Sequence, residues 1–166
     1  MRHEVIESIV YQSIPDQSYY DEWDVESLSA DVKNYLGLTV PINQWVKEDG
    51  IIEKEFINRL RDLSDKHMAE RAVNFGVEVF REAEKTLLLQ VLDQGWKDHL
   101  LMLDQMRQSI GLRAYAQKDP LNEYKRESFE LFEEMLDKLR KTITSVLSYI
   151  EIKQEETIEK EDNRAV

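Results

Sequence analysis

The residues with the widest chemical reach in this sequence are its histidines, and their spacing argues against a reaction centre. His3, His67 and His99 lie far apart, and no HExxH pairing puts two imidazoles on one helical face. His3 with Glu4 and Glu7 has the residue types of a metal site, yet the same group reads more simply as a solvated helix face. Asp98-His99 has the composition of a catalytic dyad, but neighbours on a helix point about 100° apart and cannot share the required hydrogen bond. The acidic pairs Glu133-Glu134 and Glu155-Glu156 would need a cleft to act as general acids, and belong better on a charged surface. No GxxxxGK[ST] or other glycine-rich loop is present to cradle a phosphate, so the chain itself should not hydrolyse ATP. The sequence holds no cysteine, which excludes disulfides, thiol catalysis and cysteine-based zinc sites.

What remains is a chain built for packing. Its 166 residues allow one domain or two small helical ones. Five glycines and three prolines are few for a turn-rich sheet, and the abundance of Glu, Leu, Lys and Gln favours long helices. A formal charge of −12 repels a phosphate backbone, so generic nucleic-acid binding is not expected. Apolar runs such as Thr86 to Leu89 and Leu100 to Leu103 fall far short of the roughly 20 residues that span a bilayer. Met1 is followed by charged residues rather than by the apolar segment of a signal peptide, and a cytoplasmic location is expected.

Val5, Ile6, Ile9 and Val10 recur at helical spacing and predict a short helix ending before Ile14-Pro15. After a loop with Tyr19, Tyr20 and Trp23, a second helix should start near Asp24 and stop at Gly37, with Leu28, Val32, Tyr35 and Leu36 as its stripe. Leu38 to Gly50 reads as an irregular connection with Trp45 as its single large anchor. Helix resumes near Ile51, with Ile52, Phe56, Leu60 and Leu63 inward, and a break is expected around Asn74-Phe75-Gly76.

Val77 to Ile110 places Val77, Phe80, Leu87, Leu88, Val91, Leu92, Trp96, Leu100, Leu103 and Met106 along one broad face. Trp96 reads as a core anchor, and Gly95 beside it as a point of close approach by another helix. Asp119 can cap and Pro120 can begin a further helix carrying Tyr124, Phe129, Phe132, Met135, Leu136, Leu139, Ile143, Val146 and Ile150. Two helices of about 30 residues joined by a short loop form an antiparallel hairpin about 45 Å long. In the loop, Leu112 and Tyr115 have little core to join; Tyr115 either folds back or stands exposed as a contact. The charged stretch after Ile152 is expected to be a disordered tail.

The run from Leu88 to Leu136 closely resembles a segment of the SecA family of bacterial export motors. Trp96-Lys97-Asp98-His99-Leu100, Asp104, Arg107-Gln108, Leu112-Arg113, Tyr115-Ala116-Gln117-Lys118-Asp119-Pro120 and Glu123-Tyr124-Lys125-Arg126-Glu127 carry the resemblance in unbroken register. Tyr20, Trp23-Asp24, Leu28, Pro41 and Trp45 are looser landmarks of that family's helical wing. The resemblance implies an all-α fold: a small helical wing domain over about 1–76, a long antiparallel two-helix finger of the helical scaffold over about 77–153, and a charged tail over 154–166. Trp23, Trp45 and Trp96 are its expected structural anchors.

For the family, the resemblance implies a motor, driven by ATP with Mg, that moves unfolded preproteins through the SecYEG channel at the inner face of the bacterial plasma membrane. Tyr115, with Leu112, would be the fingertip that contacts the moving chain. Arg113, Gln117 and Asp119 would shape the loop or transmit its contact state to an ATPase that the hairpin restrains. The family's Walker motifs, preprotein-binding domain, long first scaffold helix and zinc tail have no counterpart in this sequence, so the fragment should need the remaining SecA domains as partners. An apolar stripe left open by the absent scaffold helix, and some self-association through it, are expected. The competing reading is an autonomous helical adaptor that binds a protein partner through its exposed hairpin.

Overall fold

The structure is a computed structural model describing residues 1–15, 22–48, 52–113 and 119–151, with backbone alone for 111–113. Among the described residues every regular element is a helix: α1 (Arg2–Ser13), α2 (Val25–Leu36), α3 (Ile42–Trp45), α4 (Glu53–Phe75), α5 (Val77–Arg113) and α6 (Pro120–Tyr149). Tyr19, Tyr20 and the expected tail at 154–166 lie outside the described residues.

The helix ends follow from local chemistry. The Asp24 carboxylate accepts from the Ser27 backbone N–H at 2.9 Å and starts α2. Gly37, at φ 67°, ends it in the left-handed conformation that a side chain disfavours. Asp119 caps α6 by accepting from the Leu121 N–H at 3.0 Å, and Pro120 opens the helix where its missing N–H costs nothing. Gly76, at φ 87°, supplies the expected break and separates α4 from α5.

Two cores hold the chain together. The first joins α1 through the start of α4: Val5, Ile6, Ile9 and Val10 meet Leu28, Val32 and Leu36, closed by Ile42, Phe56 and Leu60. The second gathers Met68 from α4, Phe80 from α5 and Leu139, Ile143 and Leu147 from α6. Helix α4 thus contributes its first half to one core and its second half to the other.

Several inward assignments change, Val77 at the start of α5 among them. Ile52 and Leu63 are exposed, and Ile57, Ser64 and Met68 take the buried stripe of α4 with Phe56 and Leu60, because the helix begins after Ile52 and so turns a different arc inward. The segment after Gly37 contains the one-turn helix α3, whose fully buried residue is Ile42, whereas Trp45 is half-buried at its end. On α6 Phe129 is exposed, while Thr144, Leu147 and Ser148 are buried where α6 enters the first group of helices.

At 1.5 Å per residue, α5 is about 55 Å long and α6 about 45 Å. They run antiparallel, as the pairing of Gly95 with Met135 and of His99 with Phe132 shows. The end of α6 away from the loop is built into the wing helices, where Arg140 lies 3.1 Å from Glu4 of α1.

Candidate functional site

The long hairpin has more apolar surface than one partner helix can cover. Phe80, Met106 and Ile110 of α5 are buried, but Leu88, Leu89, Leu92, Trp96, Leu100, Leu101 and Met102 are exposed. Trp96, expected in the core, is 45% exposed. The reason is geometric: a single helix covers an arc of roughly 100°, and the apolar residues of α5 span more than that. Leu89, Leu92, Trp96, Leu100 and Leu103 follow one another at steps of three or four, so they form a continuous ridge. Asp93 with Lys97 (2.6 Å) and Asp104 with Gln108 (2.9 Å) lie beside that ridge.

Between α5 and α6 the hairpin opens into a groove of about 540 Å³, lined by Val91, Gly95, His99, Met102, Met135 and Leu139 among others. Gly95 is not required by α6, since a Cβ built there would meet only the Met135 Cγ, at an ordinary 3.8 Å. The close approach expected from sequence is therefore not made by α6. His99, named from sequence only as half of a rejected dyad, is a buried residue that helical spacing did not place inward. It is only 5% exposed, its ring lies 5.5 Å from that of Trp96 and 5.9 Å from that of Phe132, and its Nδ1 has no hydrogen-bond partner among the described residues. Its neighbour Asp98 accepts from Gln94 at 2.9 Å. The two do not form a dyad.

Two of the looser landmarks, Trp23 and Trp45, converge on one side chain. Trp23 meets the ring of Phe56 edge-on at 5.8 Å, and Trp45 meets it at 5.9 Å. The Arg59 guanidinium lies 5.4 Å above Trp45 and is held there by Glu48 at 2.6 Å. That bond keeps the Glu48 carboxyl below its ordinary range. Phe56 was legible only as one member of a stripe, yet it is the fully buried hub on which both tryptophans rest.

The charged face of α1 is not simply solvated. Glu4 pairs with Arg140 and with the amino terminus, Glu7 pairs with Arg61, and Asp65 receives both Arg2 and His3. The His3 Nε2 stands 2.9 and 3.1 Å from the two Asp65 oxygens, and this hydrogen bond, with Arg2 adding to it, depresses the Asp65 carboxyl. Among the described residues no group of three or more His, Asp or Glu is placed to hold a metal ion.

At the loop, Asp119 also accepts from the Asn122 side-chain amide at 2.8 Å. Leu112 and Arg113 close α5, but their side chains lie outside the described residues, as do Tyr115 and Gln117 altogether. The structure thus describes the two ends of the loop.

Comparison with known proteins fits this architecture. A family model described as the SecA wing and scaffold domain matches residues 1–151. The chain is 47% identical over 152 residues to the protein translocase subunit SecA of Afipia carboxidovorans, covering 92% of this chain and 16% of that protein. It is 46% identical, with the same coverage of both, to the protein translocase subunit SecA of Bradyrhizobium diazoefficiens. It therefore spans about a sixth of the length of these relatives. Among its described residues no helix is long and apolar enough to cross a membrane. With a wing of short helices around Phe56, a hairpin of two long ones, and a match that runs through both, the chain belongs to the SecA family as its wing and scaffold domain.

Proposed function

We propose that this chain is the part of a SecA translocase that meets the translocating preprotein and the SecYEG channel through the loop end of its hairpin, and restrains the motor's ATP turnover. The observation that carries this reading is the family match, which runs unbroken from the wing through the hairpin. The chemistry of the chain suits such a part. It offers no phosphate-cradling loop, so ATP and Mg belong to the motor domains of the parent protein, and the contribution here is mechanical: contact, positioning and restraint.

The proposed location is the inner face of the plasma membrane, held there by protein partners. The remaining SecA domains are the natural cover for the apolar ridge through Trp96, and a second copy is its substitute when they are absent. Tyr115 with Leu112 is the proposed fingertip, because an aromatic ring packs against varied side chains while its hydroxyl bonds to passing backbone. Arg113, Gln117 and Asp119 are proposed to shape the loop that presents it.

The test is translocation into membrane vesicles by an intact motor carrying Tyr115→Ala, Tyr115→Phe or Tyr115→Trp, alongside thermal melting. The alanine variant should lose transport while keeping its melting temperature, and the aromatic variants should retain most of it. Normal transport by the alanine variant would remove the fingertip role.

A further inference from the structure

The last turns of an α-helix leave carbonyls with no intrahelical partner, and in this chain the end of α2 is met by another helix, although its Lys33 carbonyl already accepts from the Gly37 N–H at 3.0 Å. The Ser145 hydroxyl donates to the Asn34 carbonyl at 2.8 Å and the Tyr149 hydroxyl to the Lys33 carbonyl, while the single Ser148 hydroxyl proton is shared between the Thr144 carbonyl of its own helix at 2.8 Å and the Tyr35 carbonyl at 3.1 Å. Three consecutive carbonyls at the end of α2 thus face three hydroxyls from the last two turns of α6. The α6 end is held in turn from α4: the Arg71 guanidinium donates to the Leu147 carbonyl at 3.1 Å and to that of Ile150. The same guanidinium lies 5.3 Å above the Phe75 ring, which fixes its direction.

The approach is close as well as bonded. A Cβ at Gly37 would stand 3.3 Å from both the Ser148 Cβ and the Ser148 carbonyl oxygen, so the glycine that ends α2 also lets its backbone touch α6. Beneath the hydroxyls, Thr144, Leu147 and Ser148 are buried. The hairpin is also held by the second core, where Met68 of α4 packs on Phe80, Leu139, Ile143 and Leu147, and by Arg140 on Glu4 of α1. The covalent link at Gly76 has a positive φ and nothing within 4 Å of where a Cβ would stand.

We propose that Ser145, Ser148 and Tyr149 latch the carbonyl end of α2, so that the wing and the hairpin turn as one lever whose far arm is the loop end, and that release of this latch is the motion that frees the hairpin. Two of the three hydroxyl contacts lie where water reaches them, at Ser145 and Tyr149, so both can exchange for water. While it is closed, a load on the loop end reaches the wing directly. The inference concerns the mechanics of the chain itself, and it stands whether or not the fingertip reading holds.

The absence of cysteine makes the test simple, because introduced thiols are the only ones labelled. Spin labels at Ser29→Cys on α2 and Lys125→Cys near the loop end of α6 report the angle between wing and hairpin. Position 125 lies twenty residues from Ser145, about 30 Å along the helix, so a swing of about 10° moves the label by about 5 Å. The distance distribution should be narrow in the labelled parent chain. In the Ser145→Ala, Ser148→Ala, Tyr149→Phe variant it should broaden by about 5 Å, with far-ultraviolet circular dichroism unchanged. Equal widths in the two proteins, whether both narrow or both broad, would overturn the latch. Should the triple variant lose helix, Tyr149→Phe alone serves: broadening supports the proposal and an unchanged width overturns it.

Discussion

Phe56→Ala removes the ring on which Trp23 and Trp45 both rest, and the structure makes it the costliest single truncation in the wing. The side chain is 0% exposed, and both tryptophans approach it within 6 Å, at 5.8 and 5.9 Å. Truncating a fully buried phenylalanine costs about 3–5 kcal/mol. Against a typical domain stability of about 5–15 kcal/mol, that loss is enough to leave the wing marginal. Trp96 supplies the internal comparison. It is 45% exposed, so of the roughly 250 Å² a tryptophan can bury, just over half is covered, and alanine would keep part of that. A net loss of roughly 80 Å² at about 25 cal/mol per Å² comes to about 2 kcal/mol for Trp96→Ala. Urea unfolding followed by circular dichroism gives both values, and the emission of Trp23 and Trp45 should shift to the red in Phe56→Ala alone. A Trp96→Ala cost equal to or larger than that of Phe56→Ala would refute the assignment of hub and ridge.

Two glycines should respond in opposite directions. Gly37→Ala places a Cβ at φ 67° and 3.3 Å from Ser148, and should destabilise by at least about 1–2 kcal/mol, whereas Gly95→Ala meets only Met135 at 3.8 Å and should stabilise the isolated chain by about 1 kcal/mol. Melting curves of the two variants decide it, and a destabilised Gly95→Ala would show that the groove is tighter than the structure has it. Asp65, depressed by its hydrogen bond from His3 and by Arg2, contributes stability that is present above the ordinary carboxylate range and lost as pH falls through the folded-state value, below about pH 4. With the side chain about half exposed the contribution is under about 1 kcal/mol, so Asp65→Asn should slightly lower stability at pH 7 and lessen the loss on acidification; an unchanged acid limb would contradict it.

Local signals in the sequence carried most of the fold. Asp24, Gly37, Gly76, Asp119 and Pro120 each act within a turn or two of themselves, and each stands where its own chemistry places it. Spacing also identified both faces of α1 and α2. It failed where burial depends on how much of a helix its neighbours cover. The apolar arc of α5 is continuous in sequence, but α6 shields only part of it, so Trp96 faces outward while His99, a polar residue that the apolar spacing left out, is buried. Ser145, Ser148 and Tyr149 were invisible for a related reason: their partners are backbone carbonyls more than a hundred residues away, and side-chain patterning carries no trace of them. Of the proposed loop residues only Asp119 falls among the described side chains, where it accepts from the Leu121 N–H and from the Asn122 amide at the start of α6.

The most direct measurement of the central claim uses the motor portion of SecA that lacks this region. Its basal ATP turnover is recorded alone and with the purified chain added, while complex formation is followed independently by sedimentation. The account predicts that the chain, which should have no turnover of its own, binds the motor portion and lowers its basal rate, and that it loses its tendency to self-associate as its apolar ridge becomes covered. An unchanged rate in a complex shown to have formed would contradict it.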